Sequence, residues 1–467
     1  MIKYRKAGEM KDSGVEWIGG IPRDWEIRNL KYIGFTKSGL GNKKPKDFGH
    51  GYPFISYKNI YKNLVVEETY PDLVDSTEAD RENFSVLRGD AFFTGSSETI
   101  EELGIASMCI KDISNATYNG FSIRFRPHSL SQYYPECMKY YFRSQAAREH
   151  LIRNDNSITR ANLSQKLLKM LPVLLASFNQ QKKIANFLDL KTTQFDSIIS
   201  KKEQLIKKLE EAKKSLISEV VTGKVKIVDG KLVPRDLSEM KDSGVEWLGM
   251  IPRDWAVKKI KHIAECYPSN VDKKTMKGEK RVRLCNYRDV YYNDYITDDL
   301  AFMKATATIS QIKKFTLKKG DIVLTKDSES PDDIAIASYI DGCVENLVCG
   351  YHLTLIRDIK GSIDLYVYYQ LMSTGARNYF ETVANGVTRY GIGIFGFVNL
   401  QVCIPNIEEQ EKISKYIRSY INEQAKIIIN INNQIRKLKQ AKQSLISEAV
   451  TGKIDLRDWK IIEGELQ

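Results

Sequence analysis

The side chains best suited to chemistry in this chain are cationic, amide and aromatic, and they come in two matched sets. Lys43, Lys44 and Lys46 precede Tyr57, Lys58 and Asn59; Lys280, Arg281 and Arg283 precede Asn286, Tyr287 and Arg288, with Lys326 further on. Two Thr-Arg pairs, Thr159-Arg160 and Thr388-Arg389, sit in NSITRANL and NGVTRYGI, loops that otherwise diverge. Lysine and arginine neutralise phosphates and supply affinity, whereas arginine, asparagine and glutamine read base edges through paired hydrogen bonds. The mixture suits double-stranded DNA, and these residues are the candidate contacts. Because the Thr-Arg pairs hold equivalent places in divergent loops, a phosphate role is expected of them: two different readers would not share a base-reading residue.

A catalytic constellation is not legible. There is no GxxxxGK phosphate loop, since the Gly-Lys pairs at Gly223 and Gly452 fall where helices are expected to end. No Pro-Pro dipeptide occurs, which removes the NPPY-type loop that holds a target adenine amino group. Gly391-Ile-Gly393-Ile-Phe-Gly396 matches GxGxxG, but no clear strand before it or helix after it is predicted, so it reads as a glycine-rich loop. His50, His128, His150, His262 and His352 share no spacing, and the cysteines form no CxxC pair and have no histidine at zinc spacing. The chain is expected to bind rather than catalyse, with no cofactor or metal of its own.

The elements that must position these residues are written twice. MKDSGVEWIGGIPRDWEIRNLKYI from Met10 returns as MKDSGVEWLGMIPRDWAVKKIKHI from Met240 (240 − 10 = 230), and EAKKSLISEVVTGK from Glu211 returns as QAKQSLISEAVTGK from Gln440. Between these blocks identity is low, yet landmarks keep their offset, the pattern of one scaffold carrying two reading surfaces. FSVLRGDAFFT from Phe84 matches FTLKKGDIVLT from Phe315 (315 − 84 = 231), each with a Gly-Asp turn leading into a β-rich run. An aromatic strand is predicted over Phe54–Ile60 and over its counterpart Leu284–Val290.

After each domain comes a long helical pattern. Leu188, Phe195, Lys202, Leu209 and Leu216 recur every seventh residue, with Lys191, Ile198, Leu205, Ala212 and Glu219 expected as the second row; the later helix repeats this with Ile417, Gln424, Ile431, Leu438, Leu445 and Tyr420, Ile427, Gln434, Ala441, Glu448. The helices are predicted to follow Pro172 and Pro405 and to stop at Gly223 and Gly452, which supply left-handed caps. From Ile184 to Val220 such a helix is about 55 Å long. The predicted fold is α+β: two tandem recognition domains separated by two long antiparallel coiled-coil helices, a pseudo-twofold internal repeat. The expected limits are 1–171 and 230–404 for the domains, 172–229 and 405–453 for the helices with their connector, and 454–467 for a C-terminal tail.

Bulk composition agrees. At 467 residues, 42% hydrophobic and 28% charged, each half can bury a core, and 71 Lys+Arg against 59 Asp+Glu leave +12, favouring a polyanionic partner. The start of the chain lacks the apolar core of a signal peptide, and no apolar run spans a membrane, so a reduced, cytoplasmic setting is expected.

With the twin domains and helices in view, the chain resembles the specificity subunit of type I restriction–modification systems. The resemblance is carried by WIGGIPRDW and WLGMIPRDW, by Arg88-Gly-Asp90 and Lys319-Gly-Asp321, by QQKKIANFLD from Gln180 and EEQEKISKYI from Glu408, and by SLISEVVTGK and SLISEAVTGK. It spans nearly the whole chain; the first half departs at Ala176-Ser177-Phe178, where the second keeps Pro405-Asn-Ile-Glu-Glu-Gln410. The resemblance implies that each variable domain is a target recognition domain, that two methyltransferase subunits clamp the framework on DNA, and that motor–nuclease subunits join for restriction. S-adenosylmethionine, ATP and magnesium would belong to those partners. Adenine N6 methylation, or ATP-driven translocation and cleavage, would be directed by this chain without chemistry inside it. The target should be bipartite, its half-sites about one helical turn apart and unequal.

Overall fold

The computed structural model describes residues 3–67, 72–153, 161–342, 345–357 and 359–460. Contacts divide the chain into two compact units, residues 1–202 with 432–467, and residues 203–431. Each unit takes one α+β domain and part of each of two helices, Phe178–Val221 and Ile407–Val450.

The first domain is built on a five-stranded sheet in the order Gly34–Ser38, Ser122–Pro127, Ala91–Thr94, Ala106–Cys109, Val65–Val66. The second repeats it as Glu265–Pro268, Leu353–Arg357, Ile322–Thr325, Ala337–Ile340, Tyr295–Ile296. In both, all pairs are antiparallel except the last, which is parallel. The register also repeats: Ser122 faces Thr94 as Leu353 faces Thr325. A three-stranded sheet centred on Phe48–Ile55 in one domain and on Lys280–Cys285 in the other completes each domain.

The Gly-Asp turns explain why that landmark appears twice. Gly89 and Gly320 have φ of 94° and 93°, which glycine adopts at low cost. The following aspartate is buried and accepts from the backbone N–H before the turn, Leu87 to Asp90 at 2.8 Å and Lys318 to Asp321 at 2.7 Å. Each also takes a bidentate arginine from the strand second in the sheet order: Arg126 donates to Asp90 through Nε and Nη2 at 2.6 Å each, and Arg357 to Asp321 through Nε at 3.1 Å and Nη2 at 2.5 Å. Burial pushes both carboxyls up from their ordinary pKa, and the arginines oppose that shift.

The other repeated blocks meet in one cluster per unit. In the first, Trp25 Nε1–H donates to Gln180 Oε1 at 2.9 Å; in the second, Trp255 Nε1–H donates to Glu409 Oε2 at 3.0 Å. Gly452, at φ 71°, lies so close to Pro22 and Trp25 that a methyl would sit 2.5 Å from Pro22 Cγ, and Gly223 is packed in the same way on Pro252 and Trp255. The second unit closes with a hairpin, Val225–Val228 on Lys231–Pro234, turning at Asp229-Gly230 with both φ positive. The first unit makes the same closure without a covalent turn: Arg5 N–H donates to the Lys453 carbonyl at 2.9 Å, as Arg235 does to Lys224.

The two helices run antiparallel within each unit. In the first, Lys202 Nζ donates to Gln434 at 2.6 Å while Lys442 Nζ pairs with Asp196 at 2.6 Å. In the second, Ile217 and Val220 share a core with Ile413 and Ile417. One heptad row is as expected, but the second is shifted by one residue. Ile199, Ile421, Ile435 and Ala449 are buried, whereas Ile198, Leu205 and Ile427 are exposed by nearly half. The first row fixes the seam only to within a step of three or four residues, and the helix takes the step of four. The first helix starts at Phe178, between Pro172 and Ile184, because Pro172–Leu175 is a strand laid antiparallel on Glu26–Asn29.

Two further expectations are corrected. The strands predicted over Phe54–Ile60 and Leu284–Val290 end at Ile55 and Cys285, and helices Tyr57–Lys62 and Tyr287–Tyr292 follow. Reciprocal caps start them: Ser56 Oγ accepts from Asn59 N–H at 3.3 Å while Asn59 Oδ1 accepts from Ser56 N–H at 2.9 Å, and Asn286 and Asp289 serve their own helix in this way. The GxGxxG stretch does open a helix, Ile394–Asn399, after the two-residue strand Tyr390–Gly391, with Gly393 at the N-cap. No helix among the described residues is long and apolar enough to cross a membrane.

Candidate nucleic-acid interface

The capped helices place two tyrosines a turn apart on one face, and each pair walls a cleft. Tyr57 and Tyr61 are near-parallel at 6.3 Å, and Tyr287 and Tyr291 at 5.5 Å. The cleft of the first unit measures about 500 Å³ and that of the second about 850 Å³. Their frames correspond. Ser97, Glu98 and Glu102 of the first stand where Ser328, Glu329 and Asp333 stand in the second. The inner tyrosine of each pair donates to the acid on the cleft wall, Tyr61 to Glu102 and Tyr291 to Asp333 at 2.7 Å. That bond raises both phenol pKa values, Tyr291 to about 12. The outer tyrosines are tied down too: Tyr57 donates to the Ser96 carbonyl at 2.7 Å, and Tyr287 hydrogen-bonds Ser328.

Other lining residues differ between the clefts. Ser96 in the first is Asp327 in the second, and Phe121 is His352; the matching main-chain bonds, Gly95 N–H to the Phe121 carbonyl and Lys326 N–H to the His352 carbonyl, fix the correspondence. Phe121 is 75% exposed, a bare ring at the mouth. In the second unit Asp327 instead collects a cluster: Arg389 Nη2 donates to Oδ1 at 2.6 Å, and His352 Nδ1 lies 2.8 Å from Oδ2. The carboxylate raises the Arg389 pKa above its ordinary value.

The structure gathers some of the residues expected to contact DNA and disperses others. Tyr287, Arg288, Thr388 and Arg389 line the second cleft, and Tyr57 lines the first. Lys58 is exposed beside Tyr57. Asn59 is buried and occupied by its cap, and Asn286 caps its helix, accepting from Arg288 N–H at 2.9 Å. Lys43 pairs with Asp80 at 3.2 Å, while Lys44 and Lys46 are exposed around the turn Pro45–Asp47. Lys280, Arg281 and Arg283 are exposed residues of the strand Lys280–Cys285. Lys326 donates to the Ser269 carbonyl at 2.9 Å and sits 4.4 Å from the Tyr351 ring centre. Thr159 and Arg160 lie outside the described residues. Tyr61, Tyr291, Ser96, Phe121, Asp327, Asp333 and His352 escaped sequence reasoning; the signal for them is their shared offset between the halves.

The type I restriction modification DNA specificity domain matches this sequence twice, over residues 22–211 and 252–437. The chain therefore belongs to that family, as a tandem pair of specificity domains. Its likeness extends to whole specificity subunits. It is 23% identical over 452 residues to a putative type I restriction enzyme MjaX specificity subunit of Methanocaldococcus jannaschii, covering 94% of this chain and 96% of the relative. It is 22% identical over 324 residues to the EcoBI specificity subunit of Escherichia coli, covering 67% and 65% respectively. In fold it is similar to a chain solved in a study of complex assembly and conformational transition of the type I R-M system, with a TM-score of 0.64 at 11% identity, covering 92% of this chain and 98% of that one. By family and fold the chain is a DNA target recognition subunit.

Proposed function

We propose that this chain reads a bipartite, asymmetric target in double-stranded DNA, one half-site per recognition domain, and performs no reaction itself. The observation that carries the reading is the pair of clefts: one frame of tyrosines, serine and acids kept in both domains, with different residues around it, Ser96 and Phe121 in one against Asp327 and His352 in the other. A shared frame fits the same job, and altered contents fit different bases. Two methyltransferase subunits are the proposed partners, joined by motor–nuclease subunits for restriction of foreign DNA in the cytoplasm. S-adenosylmethionine, ATP and magnesium would be held by those subunits, and adenine N6 methylation or ATP-driven translocation and cleavage would be aimed by this chain.

Methylome sequencing of the host with and without the gene tests this. The expected result is a two-part motif with unequal halves that disappears on deletion. A continuous or palindromic motif, or an unchanged methylome, refutes it. Replacing residues 34–170 with the same region of a related chain should change one half-site and leave the other.

A further inference from the structure

We infer that Arg389 reads a base edge, guanine by its chemistry, and that Asp327 and His352 are the residues that aim it; this rests on the DNA-reading function proposed above and deepens it. The equivalent placement of the Thr-Arg pairs pointed to phosphate. The geometry points elsewhere. The Arg389 side chain is 59% exposed, while the Asp327 carboxylate beneath it is only 16% exposed. The acid thus fixes the guanidinium from below and presents it to the cleft. One Nη2 hydrogen is committed to Asp327 Oδ1 at 2.6 Å. In the tautomer in which His352 Nδ1–H donates to Asp327 Oδ2, Nδ1 has no lone pair left to accept from Nη2, so the other Nη2 hydrogen and both on Nη1 remain, enough for the paired contact that guanine O6 and N7 accept in the major groove.

A phosphate clamp would be built differently. Affinity from phosphates comes from net cationic charge that displaces counterions. Here Asp327 offsets the charge of Arg389, and Glu329 and Asp333 outnumber Arg288, the other cation on the cleft lining. What is left is an oriented donor pair with little net charge, which suits reading better than holding. His352 completes the brace. Its Nδ1, 2.8 Å from Asp327 Oδ2 and 3.2 Å from Arg389 Nη2, occupies the second carboxylate oxygen and keeps the acid from rotating away. The brace belongs to one domain only, because Ser96 and Phe121 stand at these positions in the other. Two domains meant for unequal half-sites should differ in just this way.

The test uses the full chain with its methyltransferase partners and a pool of randomised duplexes. Wild type should enrich guanine at one position of a single half-site. Arg389→Ala should lose that preference by about tenfold or more, with the other half-site intact and the slope of log affinity against log salt unchanged. Arg389→Lys should not restore it, since an ammonium cannot make the paired contact. Asp327→Asn, near in shape and leaving the arginine in place, should weaken the guanine preference without weakening binding to random duplex. Uniform loss across all sequences with a salt slope shallower by about 0.9 would make Arg389 a phosphate contact and overturn the inference. So would an unaltered guanine preference in every variant. A wild-type complex with no sequence preference would fail earlier, at the DNA-reading function itself, and the intact half-site in each variant guards against misfolding as an explanation.

Discussion

Replacing Asp321 by alanine strands a buried cation, and the consequence can be worked from its contacts. The Arg357 side chain is 9% exposed and loses its Nε and Nη2 bonds to the carboxylate, at 3.1 and 2.5 Å. Lys318 N–H also loses its acceptor at 2.7 Å. Breaking one side of a buried pair costs about 3–5 kcal/mol. Arg357 keeps the Lys314 and Thr316 carbonyls, at 3.2 and 2.7 Å, which places the loss near the lower end, about 3 kcal/mol. That is roughly a hundredfold more frequent opening of the strands around it, at about 1.4 kcal/mol per factor of ten. Because the chain holds two compact units, a single melt does not define one free energy, and a local probe is needed. Amide hydrogen exchange by mass spectrometry over residues 322–340 should accelerate about a hundredfold, while residues 91–109, the same region of the other unit, should not change. Adding Arg357→Met should recover most of the loss, since removing both partners leaves no uncompensated charge. Acceleration below about threefold, or an equal effect in both units, would refute this account of the Gly-Asp turn.

The seam register can be checked by neighbours. Ile199→Ala should cost about 2–4 kcal/mol of local stability in the helix pair, and Ile198→Ala less than about 0.5 kcal/mol, read by amide hydrogen exchange over the helix around residue 199; reversed costs would restore the row expected from the sequence. Gly452→Ala, which sets a methyl 2.5 Å from Pro22 Cγ at φ 71°, should lower stability by about 2 kcal/mol or more through backbone strain and overpacking together. Unchanged amide hydrogen exchange at the end of the helix Ile407–Val450 would show that the cap glycine is not held by the tryptophan block.

What the sequence made legible was what it wrote twice. IPRDW, the Gly-Asp turn, the helix ends and the offset between halves all survive into the structure as contacts. Their partners were not legible, because the repeated blocks meet across long separations: the glycine at 452 packs on the proline at 22, and the one at 223 on the proline at 252. Seven-residue spacing found one row of the helix seam and misjudged the other, since apolar residues stand at both Ile198 and Ile199 and only packing chooses between them. Aromatic and β-branched composition over Tyr57–Ile60 suggested a strand, whereas the short-range signal that wins is the reciprocal cap of Ser56 with Asn59.

The cleft residues were hidden for a different reason. Composition ranks cations first in a search for DNA contacts, and several of the cations so chosen are tied to other groups: Lys43 to Asp80, Lys326 to the Ser269 carbonyl, Arg389 to Asp327. A lysine engaged by a carboxylate has spent the charge that made it a candidate, but an arginine engaged on one edge has gained a direction and keeps a donor pair. The same ion pair therefore argues against Lys43 as a phosphate contact and for Arg389 as a reader of bases. On the inference drawn for Arg389, specificity in such a domain would be set by the neutral and acidic neighbours that orient a cation, and exchanging Ser96 with Asp327, or Phe121 with His352, is expected to alter what the cleft reads while leaving the frame that holds it.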